Sequence, residues 1–84
     1  MNFEPTGDML SDLAKAIETF TVVHIDYIDK KGVGSSRDIA PLEIRASGLY
    51  AWSLDKGALR LFMLEGIQQY SVVDQTFDKT QFVS

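Results

Sequence analysis

The 84-residue sequence contains no cysteine. That excludes a disulfide framework and any thiolate metal site or thiolate nucleophile, and a reducing compartment, the cytoplasm, is the expected setting. One histidine, His24, and two prolines are present. A single imidazole without further ligands at metal spacing predicts no metal site and no cofactor. Long apolar runs are also missing, so no segment is expected to span a membrane. The opening stretch MNFEPTGDMLSD lacks the basic start and apolar run of a signal peptide. An excess of positive charge is missing too. Formal net charge is −4, with −3 of it in residues 1–20. A general binder of phosphate backbones carries the opposite balance, so any nucleic-acid role has to rest on a local patch.

What is present is ordinary globular material, 45% hydrophobic and 24% charged, enough for one small core. Residues 1–84 are expected to form a single domain, with a helix at about 8–20, a strand-rich body at about 21–77 and a tail at 78–84. In the helix, Leu10, Leu13, Ala14 and Ile17 recur at i, i+3, i+4 and i+7, which predicts one apolar face, and Asp8 is placed to cap its start. TVVHIDYI (21–28) alternates as a strand, with Val23, Ile25 and Tyr27 on one face and His24 and Asp26 on the other. DKKG (29–32) is a turn in which Gly32 is free to take positive φ. SSRDIAPLEIR (35–45) reads as a second strand with an edge or bulge at Pro41, which has no amide hydrogen. A turn at Ser47-Gly48 follows.

LYAWSL (49–54) is a third strand, DKG (55–57) a hairpin loop and ALRLFML (58–64) a fourth strand. The fourth is apolar at nearly every position, which predicts burial on both faces. IQQYSVV (67–73) is a fifth strand. In the tail, Phe77 and Phe82 are candidates to dock on the body. The resulting expectation is a mostly β fold, a small closed antiparallel barrel of about five strands with one N-terminal helix, closure removing the sheet edges.

The order of these pieces resembles the WYL domain, the small barrel of many bacterial transcription regulators and phage-defence proteins. The resemblance runs from about Leu13 to Phe77. Arg37, Ile39 and Pro41 match an arginine-x-isoleucine-x-proline motif. Leu49-Tyr50-Ala51 falls where the naming tripeptide stands, with Tyr50 the one match. Arg60, Phe62, Leu64 and Ile67 match a final motif whose second arginine is replaced here by Gly66. The resemblance implies an Sm-like (Src-homology-3-like) barrel that senses ligands, with single-stranded nucleic acid or a nucleotide as the ligand class. In such regulators the usual neighbours are a winged helix-turn-helix and a C-terminal extension. Neither accompanies these residues, which predicts a module that does not repress by itself.

Candidate site residues follow. Arg37 and Arg60 lie in strands among apolar residues, and the planar guanidinium fork suits phosphate. The structural alternative is pairing with Asp38, Glu43 or Glu65. Tyr50, on the same strand face as Trp52, is a candidate to stack on a base. Core packing is the commoner fate of such rings. His24 beside Asp26 reads as an outward or hydrogen-bonded histidine, and Lys30-Lys31 as a solvated turn. Paired-carboxylate, nucleophile-elbow, phosphate-loop and metal-ligand patterns are absent, so no enzyme is expected. Two functions remain: a binding module for single-stranded nucleic acid or a nucleotide, and a protein-interaction or self-association module. A homodimer is expected, because a small barrel has limited cover for its apolar surface.

Overall fold

The computed structural model describes residues 7–78. Phe82 and the rest of the tail beyond Asp78 lie outside the described residues. The element order is α1 (Gly7–Glu18), β1 (Thr21–Ile28), β2 (Gly34–Arg45), β3 (Gly48–Ser53), β4 (Ala58–Met63), a 3-10 turn (Leu64–Gly66) and β5 (Ile67–Thr76). All neighbouring strands are antiparallel, in the order β4-β3-β2-β1-β5.

Helix α1 buries Met9, Leu13 and Ala16, with Ile17 at their margin, against β1 and β2. The expected face is therefore rotated, for Leu10 and Ala14 are exposed. Apolar residues stand on both sides of this helix, so spacing leaves its phase open, and Met9 wins the core position. Asp8 sits inside the first turn instead of capping it, where its charge still suits the N-terminal dipole. The helix stops at Glu18. Thr19 N–H donates to Lys15 O at 2.9 Å, and Phe20 takes φ 55°, reversing the chain into β1. The Phe20 ring meets Phe77 edge-on, 6.0 Å between centroids, and Phe77 N–H donates to Phe20 O at 2.8 Å. That contact secures the far end of β5.

The turns follow their glycines, with Gly32 at φ 82° and Gly57 at φ 64°. β2 bulges between Pro41 and Glu43, where it pairs only with β3. The core cluster combines the helix residues with Val23, Ile25, Ile39, Leu49, Ala51, Phe62, Leu64 and Ile67. Burying a side chain such as Leu13 or Ile25 contributes about 1.5–3 kcal/mol each.

Two further expectations need correction. β4 is not buried on both faces: it is an edge strand, with Leu59 55% and Leu61 50% exposed. Nor is the sheet closed, since no ladder joins β4 to β5 among the described residues. The 3-10 turn carries the chain from β4 past the end of β1, and β5 then pairs with β1 on its outer side. The sheet nevertheless curls far enough for β1 to face β4. Tyr27 of β1 packs edge-on against Phe62 of β4 at 5.2 Å, and Met63 N–H donates to the Tyr27 hydroxyl at 2.9 Å. One tyrosine bridges the gap that a ladder would otherwise fill.

Candidate functional site

That gap forms a cleft of about 440 Å³. One wall is the β1–β2 hairpin, contributing Asp29, Lys30, Lys31, Ser35 and Arg37. The other is the edge of β4 from Arg60 to Met63, and the rings of Tyr27 and Phe62 contribute its aromatic surface.

Arg37 and Arg60 converge here because strand alternation puts both on the inner face. Arg37 is two residues before the buried Ile39, and Arg60 lies across from the buried Ala51. The Arg37 guanidinium carbon stands 5.6 Å from the Phe62 ring centroid, within cation–π range. Its Nε and Nη2 donate to Ser35 Oγ at 3.3 and 3.2 Å. The head group is thus held in place by a ring and a hydroxyl, with no ion-pair partner among the described residues; Asp55 feels its charge from farther off. Arg60 is exposed and likewise has no ion-pair partner among them. The acids that would have neutralised these arginines are engaged elsewhere or lie apart. Glu43 pairs with Arg45 at 3.3 Å, and Asp38 Oδ1 lies 2.7 Å from His24 Nδ1.

Tyr50 is not brought into the cleft. It pairs across the ladder with Leu61, on the face opposite to Ala51 and Arg60. The aromatic residues actually lining the cleft are Tyr27 and Phe62. Alternation carries the signal: Leu49, Ala51 and Ser53 are buried on one face of β3, so Tyr50 belongs to the other.

Lys30 and Lys31 are the residues that sequence reasoning passed over. The turn that presents them is ordered by Asp29, whose Oδ1 accepts the Lys31 and Val33 amides at 2.9 Å each. Gly32 N–H donates back to Asp29 O at 2.9 Å. No local pattern reveals that this turn leans over a cleft 30 residues away in the chain. Four of the eight basic residues of the chain therefore line one cleft, against a single carboxylate, in a protein of net charge −4.

Gly66 carries a further constraint. A Cβ there would stand 2.6 Å from the Ile28 carbonyl oxygen and 2.7 Å from the Tyr27 ring. The tyrosine that bridges β1 to β4 fills the space a side chain at position 66 would need.

On the opposite, outer face, His24 lies between Asp38 and Asp26, the latter 3.6 Å from Nε2, and Ser36 Oγ donates to Asp26 at 2.6 Å. No group of three metal-ligating side chains occurs among the described residues. Nor is any helix among them long and apolar enough to cross a membrane.

Comparison with known proteins adds three findings. The WYL domain family model matches residues 8–72. A solved structure, proteasome accessory factor B/C (PafBC) of Arthrobacter aurescens, is similar with a TM-score of 0.79 at 15% identity, over 92% of this chain and 13% of that one. This chain thus spans a small part of that protein's length, and the likeness is one of fold. A search of curated protein sequences returned no match.

Proposed function

This chain belongs to the WYL domain family, and on that premise we propose that it is a non-enzymatic, cytoplasmic regulatory module whose cleft takes a nucleotide-type ligand, single-stranded nucleic acid or a nucleotide. The observation that carries the reading is the convergence of Arg37, Arg60, Lys30 and Lys31 on one cleft in an otherwise acidic chain. Arginine forks bracket a phosphate, while the lysines add charge at a second point. Arg37, held over Phe62, loses little freedom on binding. Because the chain as a whole is negative, long-range attraction is feeble and affinity rests on close contacts.

The test is titration of a labelled short single-stranded oligonucleotide into the wild type and Arg60→Ala. Loss of the exposed Arg60 is expected to weaken binding by about 1–3 kcal/mol without unfolding the protein. Four engaged cations predict a slope of log K against log salt of about −3, and two predict about −1.4. Equal binding by both proteins, or none by the wild type at hundreds of micromolar in low salt, refutes the proposal.

A second reading, a protein-interaction or homodimerising module, is favoured by the outer face of β4. There Leu59 and Leu61 are exposed, with their ladder partners Trp52 and Tyr50 beside them. Light scattering at tens of micromolar that gives a dimer mass, lost on Leu59→Lys, supports the homodimer; a monomer mass removes it.

A further inference from the structure

The cleft is walled on one side by an unpaired strand edge, and the hydrogen bonds show which peptide groups that edge presents. Leu64 N–H donates to Ser47 O at 2.9 Å, towards β3. Met63 N–H donates to the Tyr27 hydroxyl at 2.9 Å, away from β3. Successive residues of a strand direct their N–H and C=O groups to opposite edges. Residues 58, 60 and 62 therefore serve the ladder to β3, while Leu59, Leu61 and Met63 turn outward. Among the described residues, no strand lies beyond β4.

The Met63 amide is occupied by Tyr27. The next outward position is Leu61, which lines the cleft. Its side chain lies on the outer face: a Cβ at Gly48 would stand 2.6 Å from Leu61 Cδ1, and Leu61 shares that face with Tyr50. What Leu61 offers the cleft is its backbone, one N–H donor and one C=O acceptor pointing the same way. Leu59 presents the same pair but lies outside the cleft lining.

A phosphodiester has acceptors only and leaves the carbonyl unused. A planar group with a donor and an acceptor side by side satisfies both. Every nucleobase has such an edge. We infer that the cleft reads a nucleobase through the peptide N–H and C=O of Leu61, while Arg37, Arg60 and the Lys30-Lys31 turn hold the attached phosphates. This rests on the proposed nucleotide-type ligand and adds that phosphate alone is not sufficient for full affinity. Because backbone groups do the reading, and all bases carry a donor beside an acceptor, the recognition discriminates base from no base more than one base from another.

The experiment measures fluorescence anisotropy of two labelled probes, a 5′-phosphorylated thymidine tetranucleotide and its abasic tetrahydrofuran counterpart, in low salt. The wild type is expected to prefer the base-bearing probe about tenfold, the worth of one good hydrogen bond. Leu61→Pro removes the outward N–H, which β3 does not use, at an edge position where proline is tolerated. It is expected to keep the abasic affinity and lose the preference. Leu59→Pro, altered in the same way but outside the cleft, is expected to behave as wild type. Should Leu61→Pro fail to fold by circular dichroism, replacing the Leu61 amide with an ester by semisynthesis removes the same donor and keeps the backbone shape. Equal affinity of the wild type for both probes overturns the inference and leaves phosphate binding standing. So does a preference that survives loss of the Leu61 N–H. Leu59→Pro failing alongside Leu61→Pro points to strand addition by an extended peptide and also overturns it. Binding of neither probe by the wild type overturns the proposed function itself.

Discussion

Placing an alanine at Gly66 is a sharp test of how the sheet is held together. The backbone there does not require glycine, since positive φ among the described glycines is confined to Gly32 and Gly57. Any penalty therefore comes from space. The new methyl group would stand 2.6 Å from Ile28 O, a backbone atom of β1, and 2.7 and 3.0 Å from two atoms of the Tyr27 ring. The carbonyl has little freedom to retreat within the β1 ladder, so the ring is the group expected to move. Moving it weakens the edge-on contact with Phe62, worth about 0.5–1.5 kcal/mol. It also strains the bond from Met63 N–H, worth about 0.5–1.5 kcal/mol. The total agrees with the usual cost of overpacking, about 1–3 kcal/mol. At about 4–8 °C per kcal/mol for a domain of this size, Gly66→Ala is expected to lower Tm by roughly 5–20 °C by circular dichroism or calorimetry. Gly66→Arg, which restores the residue of the family motif, is expected to cost at least as much and to yield no new anion contact in a folded protein. A Tm within 2 °C of wild type for Gly66→Ala refutes the reasoning.

Other outcomes are also expected. The Tyr70 hydroxyl donates to Asp12 Oδ2 at 2.7 Å, tying β5 to α1, and this bond, with smaller contributions from desolvation and the nearby carboxylates, pushes the phenol pKa up to about 12. A raised folded pKa means the stabilisation is complete below the unfolded value near 10 and lost as pH rises through about 12. Ultraviolet titration should show one of the three tyrosines ionising late, and Tyr70→Phe should remove that step at a cost of about 0.5–1 kcal/mol. The Ser53 hydroxyl donates to Asp55 at 2.6 Å and is the main cause holding that carboxyl below its ordinary range, with Arg37 and Lys56 assisting. Ser53→Ala should move the Asp55 titration, followed by carboxyl NMR, upward towards its ordinary value; the stabilisation it reports is present above pH 4 and lost as pH falls through the folded pKa.

How far the sequence foretold this molecule depends on how local each feature is. Strands and turns were legible because alternation and glycine act within a few residues, as at Val23-Ile25 and Gly32. The phase of α1 was not, because Leu10 and Ala14 are as apolar as Met9 and Ala16. The second face of β4 was not legible, because an apolar run does not say whether that face meets protein or solvent. Sheet closure was out of reach, since it depends on where β5 docks after the 3-10 turn. In the cleft, the place of Arg37 and Arg60 in strands among apolar residues, together with the family motif, pointed to both. Tyr50 stands apart from them, since the parity of Leu49 and Ala51 sets it on the other face. Lys30 and Lys31 joined them only through the curl of the sheet.

The strand order has a consequence for how the chain comes to be folded. β1 through β4 are consecutive hairpins, each pairing with a segment just made. β1 itself waits for the last strand, and Thr21 finds its partner only in Thr76. On the ribosome, then, the meander is able to form while one long side of β1 stays bare, with its peptide groups unpaired. Ile67, fully buried in the finished core, arrives with that final strand. Contacts this distant in sequence are slow to form and leave the nascent chain open to pairing with others in the interval. The ten residues of β5 act as the clasp, and a chain released before they emerge is expected to aggregate through β1.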